Sequence, residues 1–223
     1  MFDLQELALQ SVPGATEIYE SVVERISLPL PETALDTMRR LKECGLYNSV
    51  SLGGNSTSFL HDWVTKSVGP SFDNIMCAGN WNLLDQSGYS LFAECQRRGI
   101  AVHNAGIFGA GALWGRGTYR YKSIDPALDA KVRAWEASAA ARDISLPALA
   151  LQFAFMPEVV THVALGMQTR REVQANLAML AELKDHAGST EWRTLWGEAQ
   201  KEGLLRPDLV FGDDPRLRRS SKE

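Results

Sequence analysis

The chain has 223 residues, which is enough for one sizeable domain with its own hydrophobic core. Its composition is 45% hydrophobic and 22% charged, and this excludes a disordered or fibrous protein. Because the net charge is −4 and no segment approaches the roughly 20 apolar residues of a membrane span, we expect neither nucleic acid nor a membrane as a partner.

The cysteines and the amino terminus indicate a cytoplasmic location. Cys44, Cys77 and Cys95 have spacings that match no zinc pattern and no redox pair, so we expect reduced thiols and no metal site. The first ten residues, MFDLQELALQ, carry acidic groups where a secretory signal needs positive charge.

The first third of the chain predicts a helix, a strand and a second helix. Residues 1–30 are poorly assigned, apart from apolar residues at helical spacing over 2–10. Between Pro31 and Gly45 the apolar residues share one helical face, and Gly45 is a typical C-terminal cap. A short strand over 49–52 then closes in a glycine turn before a helix from about Ser58 to Lys66.

The same alternation continues to the end of the chain. We expect strands over 73–78, 100–103 and 159–165, and helices over 89–98, 126–142, 145–157, 169–183 and in the segment 188–223. Trp196 in the last helix is expected to pack on the domain. Strands alternating with helices predict parallel β/α units joined by right-handed crossovers.

In such an architecture, ligands bind in the loops that follow the carboxyl ends of the strands. After the first strand stands Gly53-Gly54-Asn55-Ser56, where the amide of Asn55 offers both a donor and an acceptor and suits a nicotinamide group. The alternative is that Asn55 or Ser56 only caps the next helix.

A dense glycine run follows the strand that ends at His103. Its backbone N–H groups are able to hold a pyrophosphate if the loop exposes them. The spacing of Gly106, Gly109 and Gly111 does not fit the G-x-G-x-x-G fingerprint of a dinucleotide fold, and a flexible loop is the alternative.

The loop after the last strand combines a helix cap with polar residues. Thr169 and Glu172 have the spacing of a capping box, and that role alone is sufficient to explain them. Glu172 and Asn176 also lie one turn apart on the same helical face, which would let both contact a ribose or an adenine.

Taken in order, these motifs resemble the aldo-keto reductase superfamily, most closely its D-threo-aldose 1-dehydrogenase or L-fucose dehydrogenase branch. The resemblance extends from about Pro31 to Leu183. Its most specific pieces are the segments Val50–Asn55, Ala78–Gln86, Gly106–Gly111 and Gly166–Asn176.

The resemblance implies an α/β fold: the second half of a (β/α)8 TIM-type barrel over residues 31–187, with a C-terminal helix and tail over 188–223. It implies an oxidoreductase that uses NAD or NADP on a sugar or aldehyde. The residues that would then bind the cofactor are Asn55, Gly106, Ile107, Phe108, Gly109, Ala110, Gly111, Gly166, Met167, Gln168, Thr169, Glu172 and Asn176.

The chain departs from the family pattern at three of these loops. Gly54 stands where many members have serine, and Ala78 replaces a frequent glutamine. Glu172 stands where NADP-preferring members often have arginine, and a carboxylate there would repel a 2′-phosphate, so NAD is favoured. Arg171 keeps NADP open as the alternative.

The family's catalytic aspartate, tyrosine, lysine and histidine come from the first half of the barrel, and no matching motif precedes Pro31. His61 falls in a predicted helix, and neither Tyr19 nor Lys42 matches the family's pattern, so we assign no catalytic residue. We expect a truncated chain that is inactive alone, with the sugar or aldehyde undetermined. The alternative is a non-catalytic nucleotide-binding or interaction module that self-associates through open barrel edges.

Overall fold

The computed structural model describes residues 34–66, 72–115, 118–119, 122–156, 158–186 and 190–209. Helices and strands alternate through these ranges. The helices are α1 Ala34–Glu43, α2 Thr57–Lys66, α3 Tyr89–Arg98, α4 Pro126–Ala140, α5 Leu146–Ala154, α6 Arg170–His186 and α7 Thr190–Lys201. The strands are β1 Ser51–Gly54, β2 Asn74–Ala78, β3 Ala101–Ala105, β4 Thr118–Tyr119, β5 Lys122–Ser123 and β6 Val160–Ala164.

Four of the strands form one sheet in the order β1-β2-β3-β6, and every pair in it is parallel. The helices flank this sheet, so the predicted α/β class with parallel β/α units is confirmed. In the described residues β1 and β6 each have a single neighbouring strand, so these four strands do not close into a barrel. Their parallel arrangement is that of part of a (β/α)8 barrel.

Most predicted elements are present, and the differences lie at their ends. Helix α3 has the predicted limits, because Gly99 takes the left-handed conformation (φ 68°) that ends a helix. Helix α4 stops at Ala140, two residues earlier than predicted, and the turn that follows includes Asp143 at φ 55°. Helix α5 ends at Ala154 instead of Pro157, whereas α6 continues past Leu183.

Two features fall outside the predictions or outside the described residues. The β4–β5 hairpin was not predicted, since strands of two residues are too short to show a periodic pattern. The helix expected over residues 2–10 lies outside the described ranges. Among the helices of those ranges, none has the length and apolar character that crossing a bilayer requires.

One face of the sheet packs against the helices to form the core. Ile75, Cys77 and Val102 are completely buried on this face. Trp81, which follows β2, stacks on Phe153 of α5 with ring centroids 5.1 Å apart.

The aromatic core extends to the last helix. Trp196 of α7 lies edge-on to Phe153, with 5.5 Å between the ring centroids, and to Trp135, at 6.2 Å. Trp196 is 1% exposed, so it packs on the core as predicted.

The loop between β2 and α3 is built around a buried asparagine. Asn82 is completely buried, and its Oδ1 accepts hydrogen bonds from the backbone N–H groups of Leu84 (2.9 Å) and Asp85 (3.0 Å). Its Nδ2 donates to the carbonyl of Gly79 at 3.2 Å, and Gln86 donates to the carbonyl of Asn82 at 2.8 Å. The Asn82 side chain therefore gives three backbone groups of this loop a hydrogen-bond partner.

Replacing this side chain should destabilise the fold. We expect Asn82→Ala to lower the free energy of unfolding by about 2 to 3 kcal/mol, because it leaves buried backbone groups without partners. Urea unfolding followed by circular dichroism measures this. Ser90→Ala, at an exposed position in the first turn of the helix that follows this loop, is the control and should cost less than about 1 kcal/mol. Equal costs for the two variants would contradict the structural role of Asn82.

Candidate functional site

Three of the predicted ligand loops leave the sheet at one edge. The register pairs Gly54 with Cys77, and it pairs Ala105 with both Ala78 and Ala164. Because the strands are parallel, their carboxyl ends coincide, and the loops that begin at Asn55, Gly106 and Leu165 all start there. β3 and β6 are neighbours, so the last two of these loops are adjacent.

Asn55 follows β1 and is half-buried. The alternative role, capping of α2, belongs to the next residue, because Ser56 Oγ accepts the N–H of Phe59 at 3.2 Å. Of the two residues proposed as the cap, Ser56 therefore fills that role, and Asn55 lies between the strand end and the cap.

The first glycine of the dense run allows the loops after β2 and β3 to touch. Gly79 donates its N–H to the carbonyl of Ala105 at 2.8 Å, which brings Gly106 against it. A Cβ on Gly106 would lie 3.0 Å from the nitrogen and 3.2 Å from the Cα of Gly79, and Gly106 also has a positive φ of 67°. Both the close approach and the backbone conformation require glycine at this position.

The following three residues form a left-handed turn that the β4–β5 hairpin supports. Gly109, Ala110 and Gly111 have φ values of 58°, 56° and 110°. Thr118 Oγ1 donates to the carbonyl of Ala110 at 2.9 Å. The ring of Tyr119 lies so close to Gly109 that a Cβ there would be only 2.8 Å from the ring atom Cδ2. Contacts from outside the run thus hold Ala110 in a conformation that alanine rarely adopts.

Part of the backbone of this run already has partners within the loop. The N–H of Gly109 donates to Gly106 (3.0 Å), and those of Gly111 and Leu113 donate to Phe108 (3.0 and 3.1 Å). The side chain of Ile107 is 1% exposed and belongs to the core. These three N–H groups are therefore already used within the loop, and the predicted exposure of several N–H groups for a pyrophosphate stays a prediction for the others.

The loop after β6 ends in the predicted capping box. The N–H of Glu172 donates to Thr169 Oγ1 at 3.2 Å, and Glu172 Oε2 accepts from the N–H groups of Gln168 (2.6 Å) and Thr169 (3.1 Å). Gly166 and Met167 of the same loop are exposed. The carboxylate thus has a structural task at the start of α6.

Asn176 lies one turn further along α6 and is only 7% exposed. Glu172 is half-buried, so the shared face predicted from their spacing points toward the protein rather than toward bulk solvent.

Of the residues considered and rejected for catalysis, the structure describes His61 and Lys42. His61 lies within α2, as predicted, and Lys42 in α1 pairs with Asp73. Tyr19 lies outside the described residues. Within the described ranges, no three His, Cys, Asp or Glu side chains are grouped so as to hold a metal ion.

Two residues of α4 that were not among the predicted site residues donate hydrogen bonds to the loop after β2. Trp135 Nε1 donates to the carbonyl of Leu83 at 3.1 Å, and Lys131 Nζ donates to that of Leu84 at 3.3 Å. Burial lowers the pKa of Lys131, and the charge of Asp85 partly opposes this effect. The sequence shows a lysine and a tryptophan one turn apart on a helix. It does not show which loop they contact, because that loop lies about 50 residues earlier in the chain.

Residues 12–195 match the Aldo/keto reductase family. The chain belongs to this family. The family's relatives include pyridoxal 4-dehydrogenase of Microbacterium luteolum, which is 23% identical over 174 residues, covering 75% of this chain and 48% of that protein. D-threo-aldose 1-dehydrogenase of a Pseudomonas species is 25% identical over 180 residues, covering 78% of this chain and 51% of that protein. The family member described here spans about half the length of these curated relatives.

Solved structures of this family share the fold. The holo form of an aldo-keto reductase from Bacillus halodurans has a TM-score of 0.53 at 24% identity, covering 68% of this chain and 50% of that one. The apo form has a TM-score of 0.57 at 21% identity, covering 79% and 57%. The sheet of this reductase-family chain is accordingly a partial barrel.

The contact between the β2 and β3 loops yields a matched pair of alanine variants. Gly45 and Gly106 both have positive φ, but a Cβ on Gly45 would meet nothing within 4 Å. We expect Gly45→Ala to cost about 1 kcal/mol and Gly106→Ala about 2 to 3 kcal/mol, because only the second adds a steric clash. Free energies of unfolding from urea titrations test this, and a Gly106→Ala cost no larger than that of Gly45→Ala would refute it.

Proposed function

We propose that this chain forms the nicotinamide-dinucleotide-binding part of an aldo-keto reductase barrel, corresponding to its carboxy-terminal half. The observation that carries the proposal is the convergence of three loops at the carboxyl edge of one parallel sheet, those beginning at Asn55, Gly106 and Leu165. Ligands of parallel β/α folds bind at this edge. When bound, the dinucleotide supplies the hydride-transfer chemistry.

The loops fit the parts of a dinucleotide. Asn55 would hold the nicotinamide carboxamide through its own amide. The backbone from Gly106 to Gly111 would lie under the pyrophosphate, through those N–H groups that the loop itself does not use. The segment Gly166–Thr169, with Glu172 and Asn176, would hold the adenosine end. The absence of a Cβ at Gly106 and Gly109 supports a close approach of backbone and ligand.

The charge of Glu172 supports NAD over NADP. Its carboxylate is fixed by two backbone N–H groups at the start of α6, so it cannot swing away without losing the cap. A fixed negative charge beside the adenosine end repels a 2′-phosphate. Arg171, which is exposed on the same turn, is the group that would favour NADP instead.

For the whole protein we propose a sugar or an aldehyde as the substrate. The proposal is supported by the names of the two curated relatives, a pyridoxal 4-dehydrogenase and a D-threo-aldose 1-dehydrogenase. Reduction of a carbonyl needs a proton donor beside its oxygen as well as a positioned hydride. We assign no such donor among the described residues, and we infer that the 223-residue chain binds the cofactor without transferring hydride.

Cofactor binding is the direct test. Trp114, 36% exposed and edge-on to Phe108 at 5.0 Å, lies at the end of the glycine run and should report binding through its fluorescence. We expect NAD to quench the parent chain with saturation, and Trp114→Phe to remove most of the change. Inorganic phosphate alone should have no effect. Absence of saturable NAD binding would sink the proposal.

The same titration tests the cofactor preference. Glu172→Gln keeps a side chain that can accept at the cap but removes its charge. We expect NADP affinity to rise roughly fivefold, with NAD affinity nearly unchanged. Glu136→Gln on the exposed face of α4 is the matched charge control and should change neither. An equal change for both cofactors would contradict the assigned role of Glu172.

A second candidate function, an interaction module that self-associates, is supported by an apolar stripe on α6. Val173, Leu177 and Leu180 share one helical face and are 40%, 59% and 37% exposed. Met179, on the opposite face, is 5% exposed and packs in the core. The stripe lies on the helix that follows β6, an edge strand of the described sheet, and edges of this kind favour pairing with another chain.

Charge placed in this stripe should prevent the association. We expect the parent chain to show a concentration-dependent mass by light scattering after gel filtration, and Leu177→Glu to be monomeric. Ala178→Glu adds the same charge to an exposed position about 100° around the helix, and it should behave like the parent. A parent that is monomeric at every concentration would rule out this function.

A further inference from the structure

A row of metal-binding side chains crosses the sheet on the face opposite the core. The register places Gly53, Met76, His103 and His162 side by side on four neighbouring strands. Residues that are paired in a parallel sheet point to the same side. Their sequence neighbours Leu52, Cys77, Val102 and Val163 pack with the core, so this row points the other way.

The two histidine rings of the row are already in contact. Their centroids are 4.6 Å apart with 63° between the ring planes. Nitrogen ligands bind a metal at roughly 2.0 to 2.1 Å, so two imidazoles that share one ion have their rings about 4.5 to 5.5 Å apart. The centroid spacing of His103 and His162 falls in this range.

The row is open to solvent and carries no carboxylate. Met76 and His103 are half-buried, and His162 is exposed, with its Nδ1 3.0 Å from Thr161 Oγ1. Two imidazoles and a thioether form a neutral and soft ligand set. Such a set selects Cu(I) or the similar ion Ag(I), whereas zinc sites draw on thiolates, carboxylates or a third histidine.

We propose that Met76, His103 and His162 bind one soft monovalent ion, Cu(I) or Ag(I), on the open face of the sheet. Met76 contributes its thioether sulfur, and each histidine contributes one ring nitrogen. Glycine at position 53, the fourth member of the row, leaves the space beside Met76 clear of a side chain. The site lies in the middle of the strands, away from the loops assigned to the dinucleotide, and does not depend on that function.

Titration of the full 223-residue chain with Ag(I), followed by calorimetry, tests the site. The background carries Cys44→Ser, because Cys44 is an exposed thiol that binds the same ions, whereas Cys77 and Cys95 are buried. We expect one equivalent to bind. His162→Phe and Met76→Leu should each weaken binding about tenfold or more, since each removes one ligand. His61→Ala removes a histidine outside the row and should leave binding unchanged.

A second measurement separates the row from a simple histidine pair. Competition for Cu(I) against the chelator bicinchoninate should show the same dependence on Met76, while Zn(II) binding should be weak and independent of it. His162 is exposed and Met76→Leu conserves volume, so both variants are expected to fold, with circular dichroism as the check. Binding that is equally strong in the parent, His162→Phe and Met76→Leu would overturn the proposal, as would the absence of one-equivalent binding in the parent.

Discussion

Parallel pairing of four strands, with one register shift between β3 and β6, is the constraint on which the rest of the structure depends. It brings the carboxyl ends of β1, β2, β3 and β6 to one edge, and it brings Met76, His103 and His162 into one row across the sheet. A register slip of one residue would send every side chain of a strand to the other face. Both the candidate cofactor edge and the proposed ion site follow from the same pairing.

The loops at this edge are held by hydrogen bonds within the protein itself. Asn82 organises the loop after β2, Thr118 and Tyr119 support the turn at Ala110, and Glu172 closes the start of α6. Rigid loops lose less entropy when a ligand binds. The same internal bonds reduce the number of groups left for the ligand, which is why only part of the glycine run serves in the proposed pyrophosphate site.

The chain spans about half the length of its curated relatives. In a closed barrel, both edge strands would be paired and the face that carries Met76 and His103 would be enclosed. In the described part of this chain, α6 presents Val173, Leu177 and Leu180 to solvent. The row proposed for ion binding therefore lies on the face that a closed barrel encloses.

The sequence by itself determined the alternation of helices and strands, the limits of α3 and the capping box of Thr169 and Glu172. It also determined membership of the aldo-keto reductase family. These features could be predicted because the spacing of apolar residues, helix caps and glycine turns are local signals. Only the tertiary structure decided which groups meet. Four contacts join residues that are separated along the chain: Gly106 with Gly79, Tyr119 with Gly109, Lys131 with Leu84, and His103 with His162. Such contacts depend on strand order and register, which no local pattern of residues encodes.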